Sequence, residues 1–228
     1  MNIDWSINSH KYGVPDFKDD DGLWIASYRE SKDGISTQHH TRAGYLWADL
    51  QKRTAIGGRF QHKRPTYAGC QNKFESFQEF ASWANNEPGY SCIDENGNFY
   101  QLDKDLLSGE DKVYSKETCA FIPSRINSLL NVSRPSASAL PLGVSLDPST
   151  GKYRARSKHL GKMVSLGSFS NVMEAHKAWQ LFKSKRIYKE ASDFIGSPAF
   201  RADIAEALMA KACRLEAAAN LGVLTEKI

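Results

Sequence analysis

Between Tyr153 and Lys158 the run YRARSK alternates polar-charged and small or aromatic residues, and it sits between two turn-rich segments, DPSTGK and HLGK. A strand repeats every two residues, so Arg154, Arg156 and Lys158 project from one face while Tyr153, Ala155 and Ser157 project from the other. Such a strand can bury only one side. The flanking runs GVSL and KMVSLGSF are also β-prone, which predicts a three-stranded antiparallel sheet with one covered and one cationic face. A helix to cover it follows directly. Asn171 stands as an N-cap with Glu174 three residues on, and Val172, Ala175, Ala178, Trp179 and Phe182 form an apolar stripe.

From Gly151 to Lys189 there are ten Lys/Arg and one acid, Glu174, so no acid inside this segment offsets the cationic face. Over the whole chain the net charge is only +4, but 1–130 carries 15 Lys/Arg against 18 Asp/Glu and 131–228 carries 15 against 8. The sign changes along the chain, which suggests that one part meets a polyanion. The change falls on NVSRPSASALPL, whose Ser and Pro resist helix continuation. These two signals predict a first domain over 1–130, a linker over 131–142, the basic domain over 143–195 and a C-terminal helical extension over 196–228. In that extension an alanine-rich helix from Pro198 to Ala219 buries Leu208, Ala212 and Leu215. With 41% hydrophobic residues, 228 residues supply enough apolar material for two cores.

In the first domain, Tyr45–Lys52 and Phe74–Asn85 space their apolar side chains as one face of a helix does, so Trp47, Phe77, Phe80 and Trp83, with Tyr67, read as core rather than as base-stacking platforms. GGRFQHKRPTYAGC reads as a loop. Asn96-Gly97 predicts a hairpin turn between CIDE and a strand holding Phe99, Tyr100 and Leu102. Pro123 opens a short helix over 124–130. Cys70, Cys92, Cys119 and Cys213 are too far apart for a C-x-x-C site and read as buried free thiols. No apolar run is long enough to span a bilayer, and MNIDWSINSHK lacks the order of a signal peptide; an intracellular, membrane-free protein is expected.

The run from Leu142 to Lys183 resembles an APETALA-type DNA-binding domain through Gly143, Val144, Lys152, Tyr153, Ala155, Leu166, Gly167, Phe169, Ala175, Ala178 and Trp179. The resemblance implies a sheet that reads double-stranded DNA and a helix that supports it, with Lys152, Arg154, Arg156, Lys158 and Lys162 as the contacting residues. Upstream, HTRAGYLWADLQKRT, RPTYAGCQNKFESFQEFASW and YQLDKDLLSGEDKVYSKETCAFIPSRIN resemble the amino-terminal region of phage-encoded HNH homing endonuclease-like proteins. That likeness implies a ββα-metal domain with added helices, an α+β fold overall, and the cytoplasm of an infected bacterium as its setting. It places Asp103 as the acidic metal ligand, Asn127 as the distal ligand, and Mg²⁺ or another divalent ion as cofactor, since carboxylate and amide oxygens are hard ligands. Lys104 stands at the family's general-base histidine and Thr118 at its central asparagine. A protonated lysine holds a phosphate but does not readily take a proton from water. Asp105 is then the alternative base or second ligand, with His39, His40 and His62 as further sources.

Three readings follow: a metal-dependent endonuclease or nickase delivered by its basic sheet, a DNA-binding protein of the same ancestry that no longer cuts, and a protein-binding module that contacts a host factor through its acidic half. For Asp103 and Asp105 the plain alternative is a polar turn, and for Asn127 a helix-surface amide.

Overall fold

The computed structural model describes residues 4–109, 111–132 and 139–228, a mixed α+β chain whose two units, Met1–Pro123 and Ser124–Ile228, part between Pro123 and Ser124. The division falls one helix before the expected linker, most of which, 133–138, lies outside the described residues.

The first unit begins with α1 (Trp5–Tyr12) and a hairpin of β1 (Ser27–Lys32) and β2 (Ile35–His40). Asp33 and Gly34 close it with φ of 52° and 79°, the left-handed pair that a two-residue hairpin turn requires. Next come α2 (Arg42–Thr54), capped by the Thr41 hydroxyl accepting from the Gly44 amide at 3.1 Å, then α3 (Arg59–Lys63) and a 3-10 turn at Pro65–Tyr67. The expected loop there is therefore partly helical. β3 (Gln71–Asn72) leads to α4 (Phe77–Asn86), capped by Ser76, and the rest is β4 (Gln101–Asp103), α5 (Asp105–Ser108), β5 (Val113–Tyr114) and β6 (Ala120–Ile122). β3 pairs parallel with β5, and β4 antiparallel with β6.

Of the helical aromatics Phe80 is buried as expected, and half-buried Trp47 and Trp83 pack on it at 5.5 and 5.8 Å, Trp83 also stacking on Phe121 at 5.7 Å. The hairpin expected at Asn96-Gly97 contracts to one bridge, Ile93 to Phe99. The Asp94 carboxylate holds that turn by accepting from the Asn96 and Asn98 amides, each at 2.9 Å. The following strand then pairs with β6, Leu102 opposite Phe121, because its neighbour Phe99 is drawn into a ring cluster with Trp5 and Tyr12.

In the second unit α6 (Ser124–Leu130) docks on a long helix, α7 (Val172–Ile195), which covers the sheet of β7 (Val144–Leu146), β8 (Tyr153–His159) and β9 (Lys162–Phe169). The sheet is antiparallel in the order β7-β8-β9. Asn171 caps α7, its side-chain oxygen accepting from Met173 at 2.7 Å and Glu174 at 3.4 Å. Gly143 has φ +77°, and a Cβ there would lie 2.0 Å from Trp179 Cδ1, so the indole packs directly on the backbone that opens β7. Burying such a side chain contributes about 2–3 kcal/mol. α8 (Ala202–Leu221) returns along α7 on Ile204, Leu208, Ala212 and Leu215.

Polar pairs buried in this unit explain why α6 belongs to it. The Lys183 ammonium donates to the Leu129 carbonyl at 2.7 Å, and Arg125 Nε donates to buried Glu190 at 2.7 Å. His176 is fully buried, its Nδ1 proton on the Leu142 carbonyl at 2.9 Å and its Nε2 accepting from the Thr225 amide at 3.0 Å. That arrangement specifies the neutral ring. It ties the segment before β7 and the C-terminal tail to one turn of α7. Of the four free cysteines, Cys70 and Cys119 are buried, whereas Cys92 is half-buried and Cys213 exposed, so the expectation of burial fails for two.

Candidate nucleic-acid interface

The strand β8 alternates as the sequence predicts. Arg154, Arg156 and Lys158 are exposed while Ala155 and Ser157 are buried under α7. Cross-strand neighbours share a face, and on the cationic face Arg154 lies between Ser145 of β7 and Ser168 of β9, with Arg156 opposite Ser165. Small hydroxyl side chains thus lie across from the two arginines, while the exposed Met163 stands opposite Lys158 on the same face. Leu166 is the extra residue on β9 where the register shifts between Ala155 and Arg156. Lys152 precedes β8 and Lys162 opens β9, both exposed.

The guanidiniums differ in what holds them. Arg156 Nη2 donates to Ser145 Oγ at 2.8 Å, a neutral partner, and Lys158 and Lys162 have no ion pair among the described residues. Arg154 pairs with the Asp147 carboxylate. Asp147 also accepts from the Ser149 and Thr150 hydroxyls, both at 2.8 Å, and these bonds, with Arg154, hold its carboxyl down at about 2. The basic face is therefore neutralised at one of its arginines by an acid just outside the acid-poor segment. Its free charge centres on Arg156, Lys158 and Lys162.

In the first unit Asp103, Lys104 and Asp105 form one turn between β4 and α5. Asp103 is buried, which pushes its carboxyl up, and its Oδ1 accepts from the Leu106 amide at 2.9 Å. The buried Lys104 ammonium pairs with Asp105 and lies 5.5 Å from the Tyr114 ring centroid. Thr118 closes a neighbouring turn, donating to the Val113 carbonyl at 2.7 Å and accepting from the Ser115 amide at 3.0 Å. Asn127 belongs to α6 in the second unit, where its side-chain oxygen accepts from Asn131. His39 stacks on Tyr28 at 5.2 Å and reaches Glu30 at 3.4 Å in the hairpin, and His62 is exposed on α3.

At this turn one Asp103 oxygen accepts from a backbone amide and Asp105 pairs with an ammonium, and among the described residues no three His, Cys, Asp or Glu are grouped to share a metal. Among the described residues, no helix is long and apolar enough to cross a membrane.

Sequence reasoning overlooked three features. Asp147 was hidden because its partner is seven residues away, across a turn. The Asp33-Gly34 hairpin carried a recognised signal, the D-G pair flanked by β-prone residues. The buried guanidinium of Arg42, 3.9 Å from the Phe99 ring centroid and 4.2 Å from that of Tyr90, had no local signal at all. Compared with family models, with curated proteins and with solved structures, this chain matches none.

Proposed function

We infer that this chain binds duplex DNA with the exposed face of β7–β9. The observation that supports the reading is the strict alternation of β8, which turns Arg156, opposite Ser165, and Lys158, opposite Met163, outward while its other side is buried under a helix. A β-ribbon enters the major groove, where an arginine fork matches guanine O6 and N7 and lysines contact phosphates as point charges. The resemblance to APETALA-type domains supports the same face.

The test is the double variant Arg156→Ala with Lys158→Ala, measured by fluorescence anisotropy on labelled duplexes across a salt series. Its log–log salt slope falls in magnitude by up to about 2, roughly one unit for each phosphate no longer neutralised. Unchanged affinity and slope would remove the sheet from the interface. Arg154 is the poorer probe, because its removal also strips Asp147 of its pair.

Strand scission is a second reading. It is favoured by the order of β4, antiparallel β6 and then α6, which follows the hairpin-then-helix order of the HNH resemblance, with buried Asp103 ending the first strand. Supercoiled plasmid incubated with Mg²⁺ or Mn²⁺ decides it. Nicking by the wild type that Asp103→Asn abolishes establishes scission at this turn; an intact plasmid, or nicking that survives the substitution, rejects it.

A further inference from the structure

From residue 50 to residue 74 the first unit has no acid at all, yet this 25-residue stretch carries six Lys/Arg and His62. The rest of the unit is strongly acidic. Its 123 residues hold 14 Lys/Arg against 18 Asp/Glu, so all 18 acids and only eight of the bases lie outside the stretch. A surface merely kept soluble mixes both signs. Here they are segregated.

The fold turns these charges outward. Lys52 at the end of α2, Arg59, His62 and Lys63 on α3, Arg64 beside the 3-10 turn, and Lys73 after β3 are all exposed. Lys52, Arg59, Lys63 and Lys73 make no ion pair among the described residues, whereas Lys116, Lys189 and Arg201 elsewhere each hold an acid. Arg53 is the exception within the stretch: it pairs with Asp49, lies 5.2 Å from the Tyr67 ring centroid, and donates to the Tyr114 hydroxyl at 3.3 Å. It anchors the surface. Because Tyr114 also underlies the Lys104 ammonium, the basic surface borders the Asp103–Asp105 turn within the same unit.

We propose that Lys52, Arg59 and Lys63 form a second DNA contact, one that grips duplex phosphates without reading bases. This rests on the duplex-binding reading of the sheet and extends it to the other unit. Exposed cations that hold no acid among the described residues complement a phosphate backbone, and each contact releases a condensed counterion. Two linked surfaces on one polymer reinforce each other, since the second engagement is intramolecular. The surface makes an otherwise acidic unit able to lie against DNA.

The experiment compares the full chain with the triple variant Lys52→Ser, Arg59→Ser, Lys63→Ser and, in parallel, with the sheet variant Arg156→Ala, Lys158→Ala. Anisotropy is read on two labelled duplexes of equal length and unrelated sequence over a salt series, with thermal melts as the folding control. All three side chains are exposed, so the triple variant melts with the wild type. Its salt slope falls in magnitude by about 2–3, and its affinity near physiological salt drops on the order of a hundred-fold, equally on both duplexes. Wild-type affinity and slope in the triple variant, with the sheet variant impaired, overturn this proposal and leave the sheet reading standing. A decrease confined to one of the two duplexes also overturns it, because phosphate contacts carry no sequence. A wild type that binds no duplex at low salt removes both readings together.

Discussion

The charged groups of the β7–β9 face and those of the Asp103–Asp105 turn differ in where their partners are. On the sheet, Arg156, Lys158 and Lys162 stand in solvent and hold no acid among the described residues, whereas Arg154 pairs with Asp147. At the turn, Asp103 is buried and bonded to an amide, and Lys104 is buried and paired with Asp105. Charge left unsatisfied on a surface is free to act on another molecule. Charge satisfied internally is held by the fold, because a buried ion without a partner is too costly to keep. That contrast separates charges available to a partner from charges the fold already uses.

Three experiments test this difference. The largest effect belongs to Arg42, whose guanidinium is buried between the Tyr90 and Phe99 rings and leaves Nε and Nη1 without hydrogen-bond partners. Arg42→Ala costs about 3–5 kcal/mol in chemical denaturation, from the cavity it opens and from removing the cation that the rings enclose. Arg42→Met keeps the volume and removes the unpartnered donors, so it costs under about 2 kcal/mol. A cost below about 1 kcal/mol for alanine would show that this internal charge does not hold the core.

Lys183 gives a smaller, pH-dependent effect. Burial against the Leu129 carbonyl lowers its ammonium to about 8, below its value in an unfolded chain. Between that value and about 10.4 the unfolded state binds more protons than the folded one, so this group's contribution to stability rises with pH across the window. The difference in melting temperature between wild type and Lys183→Met therefore grows in favour of the wild type from pH 8 to about 10. A difference that stays flat would mean that Lys183 is not desolvated.

The smallest effect is the most diagnostic for the interface. Arg156→Ala with Lys158→Ala shifts unfolding free energy by no more than about 0.5 kcal/mol, as exposed substitutions do, while it weakens DNA binding. A large drop in stability would place these cations among the structural charges instead.

Much of the fold was legible because it depends on short-range periodicity. The alternation of YRARSK, the cap at Asn171 and the 3.6-residue spacing of Phe77, Phe80 and Trp83 each specify a local element, and the sheet, α7, α4 and the short helix at 124–130 follow from them. The outward direction of Arg156 and Lys158 was legible for the same reason. Long-range pairing was not, since it depends on which chain segments meet. Asn96-Gly97 carries a strong local turn signal, yet Phe99 is drawn into the Trp5 and Tyr12 rings and the strand after it pairs with β6.

Strand alternation and charge composition act along the chain, so the basic sheet, its covering helix and the acid-free stretch at 50–74 follow from the order of residues alone. Which charges are already spent depends on contacts made through space. Asp147 on Arg154, Glu190 on Arg125 and the rings around Arg42 are partners brought together through space, and desolvation sets their cost only once the chain has closed around them.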